Sequence, residues 1–332
     1  MQNTKLGASG IEVTNIGFGC WAIAGGPTWG TQDERDALEA IRAAYDGGVT
    51  FFDTAEAYGF GASEQIVGKA LAGVRGHVVI ASKVMERNAR AADLRAACER
   101  SLKNLKTDYI DLYQMHWPAH DVPVVESFSE MEKLQEQGKI RAYGVSNFGV
   151  KDLGDLLAAG FRPVTNQIAY NLVFRAVEFD ILPMCRRENI SVLAYSPIMQ
   201  GLLTGKWGKP SDVPDERART RIYSGRRSLT RHGEDGAEEE IFEALGRIEE
   251  AASRLGRSMG EVAVAWVLAR EPVVAALVGG RNAGQARSLL GASDIDLSPD
   301  TVEALAQITG AVKERLGPNA DMWKPESETR IR

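Results

Sequence analysis

Residues Thr50 to Glu64 read T-F-F-D-T-A-E-A-Y-G-F-G-A-S-E. Val49 to Phe52 is a short run of β-branched and aromatic residues, as a buried strand requires. The run then breaks into Asp53, Thr54, Glu56 and Tyr58, with glycines at 59 and 61. An acid and a phenol are therefore delivered into a glycine-rich turn at the C-terminal end of a strand. They lie five apart, so alternation along a strand cannot point both the same way and the chain must bend between them. Taken alone, the stretch reads better as a turn with a capping Asp and a rim Tyr. Partners for both side chains must come from elsewhere in the chain.

Outward from this stretch, one pattern repeats: apolar run, polar loop, amphipathic helix. The runs are Ile16–Cys20, Val49–Phe52, Val78–Ser82, Tyr109–Met115, Ala142–Val145, Val164–Ile168, Ser191–Ala194 and Val273–Val278. Helical periodicity falls at Glu34–Asp46, Glu64–Leu71, Ala92–Leu105, Val124–Gln137, Val150–Ala159, Val177–Arg187 and Glu238–Arg254. Sustained strand–helix alternation implies parallel strands joined by crossover helices. Eight such units fit a (β/α)8 TIM barrel better than a six-stranded open sheet. No linker or change of composition divides the chain, so residues 1–332 are read as a single domain. Residues 4–14 read as an N-terminal β-hairpin around Gly-Ala-Ser-Gly. Three segments exceed a minimal barrel: the long loop 201–236, a helix over 258–270, and a helix over 299–316 followed by a tail. A loop as long as the first is usually a lid or a binding loop. Trp323 in the tail is either packing or a lid contact.

With 44% hydrophobic and 25% charged residues the chain is that of a globular protein. A net charge of -6 gives no basic footprint for nucleic acid. Cys20, Cys98 and Cys185 are odd in number and far apart, which suggests free thiols in a reducing compartment. The first residues hold no apolar signal core and no stretch is apolar enough to span a bilayer, so the expected setting is cytoplasmic, off the membrane. Nothing in the sequence demands partner subunits, and a monomer or weak homo-oligomer is expected.

In such a barrel the loops after the strands form one face, where chemistry sits. The residues leaving successive strands there are Asp53 and Tyr58, then Lys83, His116, Ser146 and Asn147, Gln167, and Tyr195 with Ser196 and Pro197. One buried polar group is commonly mere structure; six strands ending so at one face imply a site. A phenol near its ordinary pKa of about 10 is a poor acid at neutral pH. A neighbouring ammonium lowers that pKa, and a paired carboxylate keeps the ammonium placed and charged. Tyr58, Lys83 and Asp53 suit this relay, with His116 to bond a substrate oxygen or pass a proton. An acid poised over a carbonyl oxygen is what reduction needs. Proteins carry no hydride donor, so a nicotinamide is implied.

D-T-A-E-A-Y-G from Asp53, the third-strand Lys83, M-H-W-P around His116 and G-V-S-N at Ser146-Asn147 resemble the aldo-keto reductase superfamily over nearly the whole chain. The resemblance implies a (β/α)8 barrel that binds NADP(H), with Asp53, Tyr58, Lys83 and His116 as catalytic tetrad. It implies that Ser146, Asn147 and Gln167 hold the nicotinamide carboxamide and that Tyr195 stacks on its ring. Gly19-Cys20-Trp21 resembles the family's first-strand turn. Ser196, Pro197, Ile198, Gly201, Leu203, Gly205 and Lys206 resemble the pyrophosphate-side loop. Gly279, Gly280, Arg281 and Gln285 resemble the adenosine-phosphate loop of a bacterial branch. Many members carry Lys and Arg where Gly279 and Gln285 stand; here Arg281 is expected to take the 2′-phosphate, with NAD(H) less firmly excluded. Leu289 stands where an adenine-contacting Asn is common.

A small carbonyl substrate is expected against Trp21, Tyr58, His116 and Trp117, with Trp29 and Trp323 as further aromatic candidates; indoles favour a sugar or polyol carbonyl weakly. The basic run Arg217–Arg231 reads first as a solvated loop and second as a contact for phosphate or an anionic substrate, for which Arg221, Arg226, Arg227 and Arg231 leave room. Competing readings are a Schiff-base aldolase on Lys83 and a non-catalytic, cofactor-binding regulatory subunit, which the intact tetrad and the absence of an appended N-terminal segment speak against. Gly17-x-Gly19-x-x-Ala22 is a weak dinucleotide pattern, because the I-A-G-G-P-T-W after it cannot open a helix. Gly201 to Lys206 falls one residue short of a phosphate loop and lacks its Ser/Thr. His116 and His120 have a metal spacing, but Pro118 interrupts any helix and no metal is expected. His77 and His232 read as surface residues.

Overall fold

The computed structural model describes residues 1–332. Ten strands occur: β1 (Asn3–Lys5), β2 (Glu12–Thr14), β3 (Ile16–Gly19), β4 (Phe51–Asp53), β5 (Val79–Val84), β6 (Ile110–Met115), β7 (Ile140–Ser146), β8 (Thr165–Ala169), β9 (Ser191–Tyr195) and β10 (Val273–Val278). β1 and β2 form an antiparallel hairpin; β3 to β10 close a parallel eight-stranded barrel in sequence order, with β10 against β3. The helices are α1 (Glu34–Asp46), α2 (Ala62–Leu71), α3 (Ala91–Leu105), α4 (Val124–Glu136), α5 (Val150–Ala158), α6 (Ile181–Arg187), α7 (Glu238–Arg254), α8 (Met259–Leu268), α9 (Ala283–Arg287), α10 (Pro299–Ile308) and α11 (Gly310–Leu316). The (β/α)8 expectation stands, and no helix is long and apolar enough to cross a membrane.

Two expected helices are broken. The pattern over 177–187 yields a single turn at Ala176–Glu178 and then α6. Pro183 sits in the first turn of α6, where a missing N–H costs nothing, so it marks a start. The pattern over 299–316 splits at Thr309–Gly310, where the Arg175 guanidinium bonds the Ala306 carbonyl (2.6 Å) and the Thr309 hydroxyl (3.2 Å). Long loop 201–236 is not structureless: it carries short helical turns at Met199–Thr204 and Pro210–Asp212.

What places the site is the period of two inside the barrel. Leu6 and Ile11 of the hairpin cap an apolar cluster with Phe51, Val79, Ala81, Leu112, Ala142, Leu193, Ala275 and Leu277. Two residues further along the same strands, the inward positions become Asp53 after Phe51, Lys83 after Ala81, Gln114 after Leu112 and Tyr195 after Leu193. Across neighbouring strands Asp53 stands opposite Ala81, Lys83 opposite Gln114, and Gln167 opposite both Ser146 and Leu193, so the tilted strands step these polar groups around the barrel. At Gly17 an added Cβ would stand 2.8 Å from Leu277 and Phe51, so only glycine lets the interior close there.

Candidate active site

The four expected catalytic residues converge. Lys83 is fully buried and donates to Asp53 Oδ1 (2.6 Å), to the Thr54 carbonyl (2.9 Å) and to the Tyr58 hydroxyl (3.3 Å). Its three ammonium hydrogens are thereby used. Asp53 Oδ2 accepts from Gln167 (2.8 Å) and Gln114 (3.3 Å), so the buried carboxylate is bonded on both oxygens. Tyr58 reaches Lys83 because the chain turns after β4: Gly59 and Phe60 hold left-handed backbone, which costs little only at the glycine. The His116 ring stands edge-on to Tyr58 at 5.8 Å, and its Nδ1 is buried without a partner.

The protonation states follow from burial and charge. Burial works against the Lys83 ammonium, yet Asp53 and Tyr58 outweigh it and its pKa is raised; Lys83 stays charged. Burial is the largest influence on Tyr58 and raises its pKa above 10, despite the opposing pull of Lys83. The expectation of a phenol made more acidic by Lys83 is therefore overturned: burial outweighs the ammonium's pull, and the Asp53 charge adds to burial. Burial, then the charges of Lys83 and Arg330, push His116 well below its ordinary value, so its imidazole is neutral.

A cavity of about 630 Å³ opens above this cluster. It brings together Gly19, Cys20, Trp21, Asp53, Tyr58, His116, Trp117, Ser146, Asn147, Gln167, Tyr195, Ser196, Pro197, Ile198, Gly201, Lys206, Gly279, Gly280, Arg281 and Gln285, all expected from the sequence. Leu203 and Gly205 do not line it. Leu203 is buried in the hydrophobic core and Gly205 faces Met259, because the backbone turns at Gln200 and Gly201 and again at Gly205. Trp29 and Trp323 do line it. Trp21 lies 6.1 Å from Tyr58 in a stacked pose and meets Trp29 (5.3 Å) and Trp323 (6.3 Å) edge-on. Gln167 turns its amide N–H to Asp53, Ser146 donates to the Gln167 carbonyl (3.0 Å), and Tyr195 donates to Asn147 Oδ1 (2.9 Å).

The loop arginines differ from expectation. Arg221 is buried and bonds Glu234 and the carbonyls of Leu316 and Asn319; Arg227 pairs with Glu238; Arg226 and Arg231 are exposed. The cavity arginine is instead Arg217, whose guanidinium lies 3.9 Å over Trp29 with one nitrogen unpartnered. The sequence marks it only as one end of the basic run Arg217–Arg231, because one Arg among many in a loop carries no periodic signal. Gln200 and Thr204 line the cavity without such a signal too, and Leu289 joins them. His232 is buried, not on the surface, and both its ring nitrogens lack partners. His120 pairs with Asp152 at 3.0 Å.

The cavity suits a phosphate-bearing dinucleotide. Gly279 and Gly280 leave a cradle that side chains would fill: a Cβ would meet the Gly19 carbonyl and the Ala286 amide, each at 2.8 Å. Arg217, Arg281 and Lys206 bring positive charge to the same wall. Arg281 is oriented by Gln32 (2.9 Å) and the Thr31 carbonyl.

A family model described as "Aldo/keto reductase family" matches residues 15–309. The chain is 38% identical over 322 residues to the Aldo-keto reductase YhdN of Bacillus subtilis, covering 93% of this chain and 89% of that protein. It is 30% identical over 336 residues to the NADH-specific methylglyoxal reductase of Escherichia coli, covering 94% of this chain and 100% of that protein. A solved aldo-keto reductase from Klebsiella pneumoniae in complex with NADPH superposes with a TM-score of 0.73 at 31% identity, covering 100% of this chain and 99% of that one. The chain belongs to the aldo/keto reductase family, oxidoreductases that reduce an aldehyde or ketone with NAD(P)H.

Proposed function

We propose that this protein reduces a small aldehyde, ketone or keto-sugar with NADPH, using Tyr58 as general acid, and that residues 1–332 act as one barrel domain. The observation that carries the reading is the Asp53–Lys83–Tyr58 chain of 2.6 and 3.3 Å contacts beneath the cavity. NAD(P)H, when bound, supplies hydride to the carbonyl carbon. Tyr58 keeps its phenolic proton until charge develops on the substrate oxygen, then gives it up. Lys83 stabilises the phenolate that remains, and Asp53 holds Lys83 charged and in place. His116, neutral, offers a hydrogen bond to the same oxygen. Ser146, Asn147 and Gln167 are set for the nicotinamide amide, Tyr195 for its ring, and Gly279, Gly280, Arg281, Lys206 and Arg217 for the phosphates. Four indoles around Tyr58 support a ring-bearing or polyol carbonyl. A Lys83 Schiff base is disfavoured, since the nucleophile would have to be a neutral amine within reach of substrate.

We infer a monomer or weak homo-oligomer, and three buried free thiols support a reducing, cytoplasmic setting. The test is titration with NADPH and NADH, following quenching of the cavity tryptophans, and then an aldehyde and ketone screen. Saturable quenching with turnover is expected; no binding of either cofactor would refute the proposal. Arg281→Ala should raise the KM for NADPH about tenfold or more and that for NADH little. Equal rises would remove Arg281 from the 2′-phosphate.

A further inference from the structure

The final stretch of chain, from Asn319 to Arg332, forms an arch that the proton relay does not use. One foot rests on loop 201–236, where the Arg221 guanidinium bonds the Leu316 and Asn319 carbonyls (3.0 and 2.7 Å) and its amide bonds the Met322 carbonyl (2.8 Å). The other foot rests on the start of α5. There the Arg332 amide donates to Asp152 Oδ2 (2.7 Å) and the Asp152 amide to the Arg332 carbonyl (2.9 Å). Beside the first foot Asp321 is fully buried. It accepts Arg330 bidentately (2.8 and 2.9 Å) and the Trp323 amide (3.0 Å). The Arg330 guanidinium carbon lies 3.5 Å from the centre of the Trp117 ring. One ion pair thus fixes two cavity indoles, Trp117 by its face and Trp323 by its backbone.

Asp321 is buried while the Arg330 side chain keeps 39% of its surface exposed, and a partly solvated pair of this kind adds little stability. What it gives is fixed geometry. A planar guanidinium can fork to a carboxylate and lie flat on an indole at once; an ammonium cannot. We propose that Asp321 and Arg330 are a positioning pair for substrate selection. They hold Trp117 and Trp323 as walls of the carbonyl pocket and so set the affinity for ring-bearing carbonyls, leaving proton transfer at Tyr58 untouched. The inference rests on the carbonyl-reductase reading above.

The test compares unaltered protein with Arg330→Lys, Arg330→Leu and Asp321→Asn, using benzaldehyde as the ring-bearing probe and methylglyoxal as the small one. Melting temperature and NADPH Kd are measured alongside. In Arg330→Lys the KM for benzaldehyde should rise about tenfold, with kcat within about twofold, methylglyoxal kinetics nearly unchanged and NADPH Kd unmoved. Asp321→Asn should follow it; if that variant does not fold, the two Arg330 variants decide. Full rescue by Lys would mean that Arg330 acts through its charge, and the proposal falls. Equal losses for both aldehydes, or a loss in kcat or NADPH affinity instead of KM, would also overturn it. If the unaltered protein binds NADPH but reduces neither aldehyde, this inference and the reductase reading fall together; turnover without discrimination sinks this one alone.

Discussion

The lower and upper halves of one barrel interior are built by the same alternation and do opposite things. Below, Phe51, Val79, Leu112 and Leu193 pack into an apolar plug closed by the hairpin. Further along the strands, Asp53, Lys83, Gln114 and Gln167 form a hydrogen-bonded polar layer with almost no contact with solvent. Burial is as complete above as below, so burial alone does not separate structure from chemistry. What separates them is partner choice: each polar group above is satisfied by another, and Tyr58 and His116 stand between that layer and the cavity.

That contrast can be broken experimentally. Tyr58→Phe removes one hydroxyl from the upper layer; kcat should fall about a thousandfold while NADPH affinity holds within twofold, by single-turnover kinetics and fluorescence titration. Loss of cofactor binding would show that Tyr58 is misassigned. Lys83→Met makes the upper layer more like the lower. It strands the Asp53 carboxylate, so urea melts should show roughly 3–5 kcal/mol of lost stability together with turnover lost across neutral pH. Retained activity would remove Lys83 from the relay. Leu112→Ala, one layer down, should cost about 2–5 kcal/mol by the same melts yet leave kcat within twofold. A large drop in kcat there would mean the two layers are not separable.

The smallest effect expected is in pH. Tyr58 is raised above 10, so it keeps its proton, and His116 is held well below 6.5, so it stays uncharged. Reduction should then show a flat kcat between about pH 6.5 and 9.5 and decline only as Tyr58 deprotonates. For stability the sign is opposite at the acid end. Below about 6.5 the unfolded chain takes up a proton that folded His116 refuses, so stability present above that pH is lost on acidification. A kcat step near pH 6.5 would contradict a neutral His116.

The polar layer was legible because period-two placement is local: a residue two past an inward apolar one faces inward too. The strands and most helices were legible for the same reason. What could not be read came from distant parts of the chain. The break at Thr309 depends on Arg175, 134 residues earlier; the burial of His232 depends on how loop 201–236 folds back on itself. Arg217 reaches the cavity, and Leu203 does not, through loop turns that no periodicity announces. The Tyr58 shift was misjudged because a nearby charge is visible in sequence and the depth of burial is not.

The seam where β10 meets β3, Phe18 against Val278, sets an order on the chain's own birth. While the protein is being made, the first barrel strand waits with one edge bare until residues 273–278 have cleared the ribosome. For most of synthesis the nascent molecule is an open, curling sheet with an exposed apolar interior. Its hazard is then pairing with a neighbouring nascent chain, and shutting the ring over so long a sequence separation is a slow late event.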